Sequence, residues 1–377
     1  MKDFASYYDT QFSESEETGS IYEPFTVMLE AAHGARINIL SQLDVGDLSD
    51  KVVVDFGTGS WGFACVFEKL HHCKMAIGID ISAHAVALSE EKSRNGNFAY
   101  GDRFKYLVSD GIKIPLEDNT ADVFFTGECI EHVENTDAFL DEIHRVLKPG
   151  GTLILTTPNP HPWFYRLFGL EYAVGPEHIA LMGYDELNSY LEPRFVVKTW
   201  QGYNSSIHPE LDSLVASPAF AATWASACVD NPRDACGFVV MAQSRPDYQP
   251  RSFERSTYRL TSPSVQRIGD WVELPIHKDL SAHMTKAGGE FTLKFSGDQL
   301  VVLLWTHDWS GIAQVMVDGE SREVDLYSHF GGFRRVVFRG LASETEHQLR
   351  VRATGRKNNL SNDDQVLFFT ASSFQTR

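Results

Sequence analysis

Basic residues are scarce in this chain of 377 residues. Its 33 lysines and arginines stand against 51 aspartates and glutamates, which gives a formal net charge of -18. The deficit lies in residues 1–250, where 17 basic side chains face 36 acidic ones, whereas residues 251–377 hold 16 and 15. An acidic surface repels phosphate backbones, so nucleic acid is a poor candidate for the substrate.

Cysteine pairs and long apolar runs are also missing. The five cysteines form no C-x-x-C pair, and their odd number argues against a disulfide framework or a zinc site. No run of 18 apolar residues occurs, and residues 1–10 lack a basic-plus-apolar signal pattern. We therefore expect a cytoplasmic protein with reduced thiols and no membrane span. At 43% hydrophobic residues, the chain can bury a core, and its length suits two domains.

A strand, a glycine loop and a helix are predicted between residues 51 and 70. Residues 52–54 are three valines, the apolar β-branched run typical of a parallel strand buried on both faces. Asp55 would end this strand, and residues 63–70 resume with helical spacing. Three glycines lie between them: Gly57, Gly59 and Gly62. This order predicts the first unit of a doubly wound α/β sheet, whose ligands bind beyond the carboxyl ends of the strands.

The second predicted strand, residues 74–80, ends in another carboxylate, Asp80. A carboxylate at this position accepts hydrogen bonds from both ribose hydroxyls of an adenosine, which NAD and S-adenosylmethionine share. The glycine loop also fits the dinucleotide pattern G-x-G-x-x-G, so a nicotinamide enzyme remains an alternative at this point.

Four motifs together resemble class I S-adenosylmethionine-dependent methyltransferases, in the broad small-molecule group that includes ubiquinone-pathway enzymes and glycan O-methyltransferases. They are Asp55-x-Gly57-x-Gly59, Asp80, Ser109-Asp110-Gly111 and Leu147-Lys148-Pro149-Gly150-Gly151-Thr152-Leu153. The resemblance covers residues 50–160 and extends weakly to about residue 245. Trp61 departs from it, because many relatives have the third glycine there and this chain has it at Gly62.

The resemblance implies S-adenosylmethionine as the cofactor. The residues that it implies for cofactor binding are Asp55, Gly57, Thr58, Gly59, Asp80, Ile81, Asp110, Gly111 and Glu128. Asp110 would accept the adenine amino group, and Gly111 would let the ring lie against the backbone. Residues 1–20 would cover the cofactor, as N-terminal segments of this family often do; a frayed terminus is the alternative.

Two histidines are candidate bases for an alcohol acceptor, whose high pKa makes a nearby base useful. His132 follows the predicted fourth strand, residues 122–126, whose carboxyl end faces the transferred methyl group in such enzymes. His178 lies in a Pro-rich, aromatic excursion that we interpret as an acceptor-pocket wall. Ordering of a loop is the alternative role for His132. Glu128 and Glu131 are only two possible ligands, so we predict no metal site.

Beyond residue 264 the apolar pattern changes to a period of two. Six strand-like runs follow at short intervals: 290–295, 300–306, 313–317, 334–338, 348–353 and 366–369. Asp318-Gly319 is a strong hairpin signal between two of them. We therefore predict an α/β Rossmann-like seven-stranded sheet followed by an all-β, jelly-roll-like sandwich. The expected limits are a domain over 1–245, a Pro- and Ser-rich linker over 246–264 and a β-domain over 265–377.

The β-domain resembles jelly-roll carbohydrate-binding-like modules attached to some polysaccharide esterases. Residues 315–319, 340–355 and 366–371 carry this diffuse resemblance. Trp305 and Trp309, with His307 and Asp308 between them, are candidate sugar contacts because sugar faces stack on indole rings. Packing in the sandwich core is the alternative.

These patterns favour a methyltransferase that O-methylates a saccharide or a glycosylated metabolite. One alternative acceptor is an aromatic or polyketide-like natural product. Another interpretation makes the β-domain a dimerisation or docking module, and a homodimer is possible. The insertion over 201–236 fits either a substrate cover or an oligomer contact.

Overall fold

The computed structural model of the protein describes residues 4–18, 43–59, 72–94, 103–170, 175, 177–204, 231–277 and 280–377. These residues belong to two compact units. The N-terminal unit comprises residues 4–172 and 181–250, and the C-terminal unit comprises 173–180 and 251–377 together with 1–3. The helices predicted over 21–43, 63–70 and 211–228 lie outside the described residues, as do Trp61 and Gly62.

A seven-stranded sheet forms the frame of the N-terminal unit. Its strands are β1 (Val52–Phe56), β2 (Met75–Asp80), β3 (Phe104–Val108), β4 (Ala121–Gly127), β5 (Leu147–Pro158), β6 (Phe195–Tyr203) and β7 (Gly237–Ser244). They lie in the order β3-β2-β1-β4-β5-β7-β6. Strand β7 is antiparallel to both of its neighbours, β5 and β6, and all other neighbouring strands are parallel. The predicted Rossmann-like sheet is confirmed.

The sheet is buried on both faces, which explains the unbroken apolar runs. Val54, Phe124 and Leu153 are paired side by side across β1, β4 and β5 and face one core. Val53 and Val123 are paired across β1 and β4 and face the core on the other side. Each central strand therefore needs apolar side chains at successive positions rather than at alternate ones.

Five α-helices of this unit are described: α1 (Phe4–Thr18), α2 (Ala83–Arg94), α3 (Thr136–Val146), α4 (Trp163–Phe168) and α5 (Tyr184–Leu191). Helix α3 begins where the side chain of Asn135 accepts a hydrogen bond of 3.0 Å from the Ala138 amide. Its residues Phe139 and Ile143, one turn apart, are fully buried in the core beside the sheet. Within the described residues, no helix has the length and apolar character needed to cross a membrane.

The strand order changes direction between β1 and β4. From β1 the chain proceeds to β2 and β3 on one side, and β4 begins the other side. Connections that leave in opposite directions open a crevice beyond the carboxyl ends of these two strands, where open α/β sheets bind ligands. The sequence positions just after β1, β2, β3 and β4 are therefore the ones to inspect.

The C-terminal unit consists of two antiparallel sheets, which confirms the predicted all-β class. Its strands are β8 (Phe253–Tyr258), β9 (Val265–Ile268), β10 (Val272–His277), β11 (Leu280–Thr285), β12 (Glu290–Ser296), β13 (Gln299–Thr306), β14 (Gly311–Val317), β15 (Glu320–Asp325), β16 (Gly332–Arg339), β17 (Glu346–Lys357) and β18 (Val366–Thr376). One sheet has the order β10-β11-β18-β13-β16, with β8 also paired to β18, and the other has the order β15-β14-β17-β12-β9. Leu304, Phe291 and Val351 are among the fully buried residues of their shared core.

The interval 246–264, predicted as a linker, contains strand β8. This strand pairs antiparallel with β18 from Phe253↔Thr376 to Tyr258↔Ala371. Its four central side chains are exposed, so the sequence carries no apolar alternation there. The strand is held by backbone hydrogen bonds to β18, which do not require particular side chains. A segment whose Pro- and Ser-rich composition predicts a linker can therefore still form a strand.

Candidate active site

The loop after β1 is held against the end of β2. The amides of Gly57 and Thr58 both donate to the carbonyl oxygen of Ile79, at 2.8 and 3.1 Å. Gly57 has a φ of +80°, and a Cβ added there would lie 2.9 Å from the Cβ of Cys129. The loop conformation and the close approach therefore both require glycine. Asp55 is 1% exposed and accepts a bond of 3.0 Å from Thr58 Oγ1, which stabilises the turn.

Asp80 at the end of β2 joins this loop to helix α2. One carboxylate oxygen accepts from the Gly59 amide and the other from the Ser82 amide, each at 2.9 Å. Burial raises the pKa of Asp80, although bonds from the Ser82, Gly59 and Ile81 amides oppose that shift. The nearby negative charge of Asp9 adds to the increase. A buried carboxylate thus lies beside the glycine loop, as the sequence predicts.

The third strand ends beside Asp80, because the Ser109 amide donates to the Asp80 carbonyl at 2.9 Å. Asp110 follows, and its Oδ1 accepts from the Ile112 amide at 3.0 Å. Gly111 has a φ of +79°, and an added Cβ would lie 2.8 Å from the Phe139 ring. Asp110 and Gly111 therefore form a tight turn at the same edge of the sheet as the glycine loop.

Glu128 begins the segment that follows β4. Its backbone has a φ of +49°, which is unusual for a residue with a side chain. The conformation is held by two hydroxyl donors to Glu128 Oε1, Thr156 at 2.9 Å and Tyr203 at 2.6 Å. The neighbouring thiol of Cys129 has a pKa raised well above its usual value by burial and by the charge of Glu131. Burial of this kind disfavours the thiolate form of Cys129.

The pair Glu131 and His132 lies in a single 3₁₀ turn, Ile130–His132. Glu131 is fully buried and accepts a bond of 2.8 Å from Thr157 Oγ1 at the end of β5. The Nδ1 atom of His132 lies 2.8 Å from the hydroxyl of Tyr8, and the two rings meet edge to face at 5.8 Å. This turn therefore connects the ends of β4 and β5 to the N-terminal helix α1.

Helix α1 makes two further contacts with the glycine-loop edge. The Asp9 carboxylate accepts from Ser82 Oγ at 2.6 Å and from the His84 amide at 3.1 Å, at the start of α2. The Phe12 ring lies 3.6 Å from the position of a Cβ added to Gly59. Helix α1 therefore lies against the glycine loop and the start of α2 through Phe12 and Asp9, and its role as a cover of the cofactor stays a prediction. In the sequence, only the segment 1–20 as a whole indicates a cover for the cofactor; no role for Tyr8 or Asp9 follows from the residue pattern.

His178 belongs to the C-terminal unit, with residues 173–180. Its amide donates to the Gly175 carbonyl at 2.9 Å, and its imidazole packs directly on Gly175, whose φ is +70°. Within the N-terminal unit, the described structure brings together His132, Tyr8, Glu131 and the predicted cofactor residues.

The proposed sugar-stacking role of Trp305 is not compatible with its burial. Trp305 is 3% exposed, and its ring packs edge to face on Phe333 at 4.9 Å. Strand β13 is buried along its whole length, so this indole is a packing residue and has no free face for a sugar. Trp309 is partly exposed, and its ring lies 4.7 Å from that of His307.

Comparison with protein families gives one match, which covers residues 54–155 and is described as a methyltransferase domain. Residues 54–155 are thus similar to methyltransferase domains, and the seven-stranded sheet has the class I S-adenosylmethionine-dependent methyltransferase fold. The match begins at Val54 in β1 and ends at Leu155 in β5, so it includes the ends of β1 to β4. The nicotinamide alternative is therefore not supported.

Curated relatives share this domain and differ in their acceptors. Phosphoethanolamine N-methyltransferase 2 of Caenorhabditis elegans is 33% identical over 79 residues, 21% of this chain and 17% of the relative. A ubiquinone/menaquinone biosynthesis C-methyltransferase of Desulfotalea psychrophila is 32% identical over 133 residues, 33% of this chain and 52% of the relative. The chain thus spans about half or less of these proteins.

Among solved structures, phosphoethanolamine N-methyltransferase 2 of Haemonchus contortus with bound S-adenosyl-L-methionine aligns with a TM-score of 0.42 and 17% identity. The alignment covers 57% of this chain and 53% of that one.

The residues at the strand ends fit S-adenosylmethionine. Asp80 is a buried carboxylate, the kind of group that accepts hydrogen bonds from a ribose diol. Gly57 has no Cβ, which at this position would collide with Cys129. A bound S-adenosylmethionine supplies a methyl group on a sulfonium, so the protein has only to align the acceptor and take its proton.

Proposed function

We propose that the protein transfers the methyl group of S-adenosylmethionine to a hydroxyl oxygen of a saccharide or glycosylated metabolite. In this proposal Asp80 accepts the ribose hydroxyls, and Asp110 with Gly111 holds the adenine. The other proposed cofactor residues are Asp55, Gly57, Thr58, Gly59, Ile81 and Glu128. The methyltransferase domain at 54–155 and the burial of Asp80 support this assignment.

The observation that carries the proposed chemistry is the bond of 2.8 Å between Tyr8 and His132. Oxygen-methyl transfer forms a C–O bond as the C–S bond breaks, and the hydroxyl proton must leave the acceptor. We assign that proton to the imidazole of His132. Tyr8 orients the ring through Nδ1 and closes the site from helix α1. His178 remains a second proposed base, which the experiment below separates from His132.

The saccharide acceptor is proposed from two observations. The chain is acidic in residues 1–250, which disfavours polyanionic acceptors and suits neutral hydroxyl compounds. In the C-terminal unit, the partly exposed pair of Trp309 and His307 offers one indole face with a polar neighbour. In this proposal Trp309 alone, without Trp305, contacts the sugar.

A second candidate acceptor is an aromatic or polyketide-like natural product. Helix α4 favours it, since Trp163, Leu167 and Phe168 are 43%, 65% and 59% exposed. An apolar surface of this kind on the excursion after β5 suits an apolar acceptor. The β-sandwich would then serve as a dimerisation or docking module, and the protein could be a homodimer.

The test supplies methyl-labelled S-adenosylmethionine and a dialysed extract of the natural host to the purified protein. The extract is then separated into polysaccharide, protein, nucleic acid and small-molecule fractions. We expect the label in polysaccharide or in a sugar-containing small molecule. Label in an apolar small-molecule fraction would instead support the second candidate, and no transfer to any fraction would contradict both.

With the labelled acceptor in hand, variants assign the base. We expect His132→Ala to lower kcat by about 10²–10⁴-fold and His178→Ala to lower it much less. Tyr8→Phe should have an intermediate effect, because it removes only the bond that orients the imidazole. Calorimetric titration with S-adenosylmethionine should give unchanged affinity for all three variants. The opposite ranking of the two histidine variants would make His178 the base.

A further inference from the structure

Two loops of the C-terminal unit meet at the side chain of Ser361. One loop lies before β14 and the other before β18. The Ser361 hydroxyl oxygen lies 2.7 Å from the carbonyl oxygen of Asp363, 2.8 Å from that of Ser310 and 3.3 Å from that of Asp308. Ser361 itself is 5% exposed. Four oxygens thus converge in a place largely closed to solvent.

Hydrogen bonding alone does not account for this arrangement. A serine hydroxyl has one proton and can donate it to one carbonyl. The Asp308 carbonyl also accepts from the Asn362 amide at 2.9 Å, whereas the carbonyls of Ser310 and Asp363 compete for the single Ser361 proton, so one of these two faces a lone pair of Ser361 at close range. Buried oxygens that face one another cost free energy unless a positive charge lies between them. Ligands held at 2.3–2.6 Å by one Ca²⁺ ion are themselves about 3 Å apart, which matches these separations.

A second observation comes from two side chains of the same loop. Ser310 is fully buried, and its Oγ has no hydrogen-bond partner among the described residues. Asp308 Oδ1 is also buried and has no hydrogen bond there, although His307 Nδ1 lies beside it as an ion-pair partner. Its other oxygen accepts from Asn362 at 3.0 Å. Buried polar atoms of native proteins nearly always have a partner, so the Ser310 hydroxyl indicates a missing one.

We propose that these two loops bind one Ca²⁺ ion. The ligands are oxygens of four residues: Asp308, Ser310, Ser361 and Asp363. Three are backbone carbonyls and one is the Ser361 hydroxyl, with the Ser310 hydroxyl and the Asp308 carboxylate completing six. An all-oxygen set rich in carbonyls suits Ca²⁺, whereas Mg²⁺ requires a rigid octahedron and keeps several waters, and Zn²⁺ prefers nitrogen and sulfur.

The site would join the loop before β14 to the loop before β18, which are far apart in the sequence. The two loops already meet in the backbone, because the Gly311 amide donates to the Gln365 carbonyl at 2.7 Å. An ion bound only by the folded unit stabilises it by mass action. The proposal does not depend on methyl transfer, so it can fail or hold independently of the proposed function.

Terbium luminescence tests the site in the full-length protein. Trp309 lies between two ligand residues, so a Tb³⁺ ion bound there should be excited through its indole. After treatment with EGTA and dialysis, we expect saturable Tb³⁺ emission at one site per chain. Addition of CaCl₂ should displace the emission, and MgCl₂ at the same concentration should not. Absence of saturable emission together with an unchanged melting temperature in CaCl₂ would overturn the proposal.

Variants locate the ion. We expect Ser361→Ala and Asp308→Asn each to weaken Ca²⁺ competition by at least about tenfold. Asp325→Asn is the matched control, because that carboxylate is bonded to the Asn358 side chain and the Tyr327 amide and contributes no ligand. Circular dichroism checks folding, and if Ser361→Ala does not fold, Asp308→Asn decides. Wild-type affinity in a folded variant of either ligand residue would contradict the assignment.

Discussion

The two units place their buried polar side chains differently. In the N-terminal unit, Asp55, Asp80 and Glu131 are at most 6% exposed. Asp55 and Asp80 lie at the carboxyl ends of β1 and β2, and Glu131 follows β4, so all three lie at one edge of the sheet. In the C-terminal unit, Ser310 and His347 are equally buried and lie in or beside turns. Parallel strands end together and concentrate polar groups at one edge, whereas antiparallel strands turn at both ends and distribute them.

The two arrangements predict different effects of substitution on cofactor binding and on stability. In the proposed function, Asp80 at the parallel edge binds the cofactor, so its loss should reduce binding more than stability. A polar residue at a turn of the sandwich holds the chain, so its loss should reduce stability and leave cofactor binding unchanged. Substitutions in each unit, followed by measurement of stability and of cofactor affinity, test this difference.

The largest effect is expected from Trp305→Ala in the C-terminal unit. Removal of a fully packed indole should lower the free energy of unfolding of that unit by about 3–5 kcal/mol. The matched control is Trp309→Ala, which removes a partly exposed indole and should change stability far less. Calorimetry would measure both. Equal stability of the two variants would contradict the packing role of Trp305, and S-adenosylmethionine affinity should stay unchanged in both.

The second effect concerns cofactor binding by Asp80 in the N-terminal unit. Asp80→Asn should weaken S-adenosylmethionine binding by roughly 10–100-fold, since each hydrogen bond to a charged group contributes about 1.5–3 kcal/mol. Titration calorimetry would measure it, with the exposed Glu117→Gln as the control. Burial raises the pKa of Asp80, so its carboxylate takes up a proton at a higher pH than an ordinary aspartate does. As the pH falls, binding of the cofactor by the wild type should therefore begin to weaken at a correspondingly higher pH. Unaltered affinity in Asp80→Asn would remove the ribose role.

The structure confirms some features that the sequence predicts and adds others that it does not. Val52 to Val54 predicted the buried parallel sheet, because burial on both faces restricts the residue types there. The cofactor roles of Asp80 and Gly111 stay predictions. Strand β8 was missed because an exposed edge strand needs no apolar pattern. Tyr8 and Asp9 were missed because their partners, His132 and Ser82, are more than 70 residues away and only tertiary packing joins them.

A third, smaller effect concerns His347 in the C-terminal unit. Its Nδ1 lies 2.5 Å from Asp318 Oδ2, and its Nε2 lies 2.9 Å from the Ala342 carbonyl. Burial opposes ionisation of Asp318, yet bonds from the Gln348 amide and from His347 lower its pKa. Asp318→Asn leaves the imidazole without its anion, and we expect a loss of about 1–2 kcal/mol by chemical denaturation.

The control for Asp318→Asn is Glu323→Gln, which breaks an ion pair with Arg356 in which both side chains are more than half exposed. Exposed pairs of this kind contribute about 0–1 kcal/mol. A loss in Glu323→Gln as large as that in Asp318→Asn would show that charge alone, and not the buried imidazole, sets the effect. Reduced S-adenosylmethionine affinity in Asp318→Asn would contradict the expectation that polar residues of the C-terminal unit affect stability and not cofactor binding.

The smallest effect is a pH dependence in the N-terminal unit away from its ligand edge. His144 donates through Nε2 to the Arg245 carbonyl at 2.9 Å, and its Nδ1 is buried with no hydrogen bond among the described residues. Burial lowers the pKa of His144 from its usual 6.5, with the nearby charges of Asp141 and Arg194 acting in opposite directions. The unfolded chain therefore takes up this proton at a higher pH than the folded protein does.

Stability from His144 is thus complete above about pH 6.5 and is lost as the pH falls from there to the lower folded pKa. The variant His144→Gln keeps an N–H donor for Arg245 and removes the titration. We expect the melting temperature of the wild type to fall more than that of the variant between pH 7.5 and pH 5.5, with carboxylate effects cancelling in the difference. Parallel curves of melting temperature against pH would mean that the imidazole has the same charge in the folded and unfolded states. In that case His144 would contribute no pH dependence to the stability of this unit.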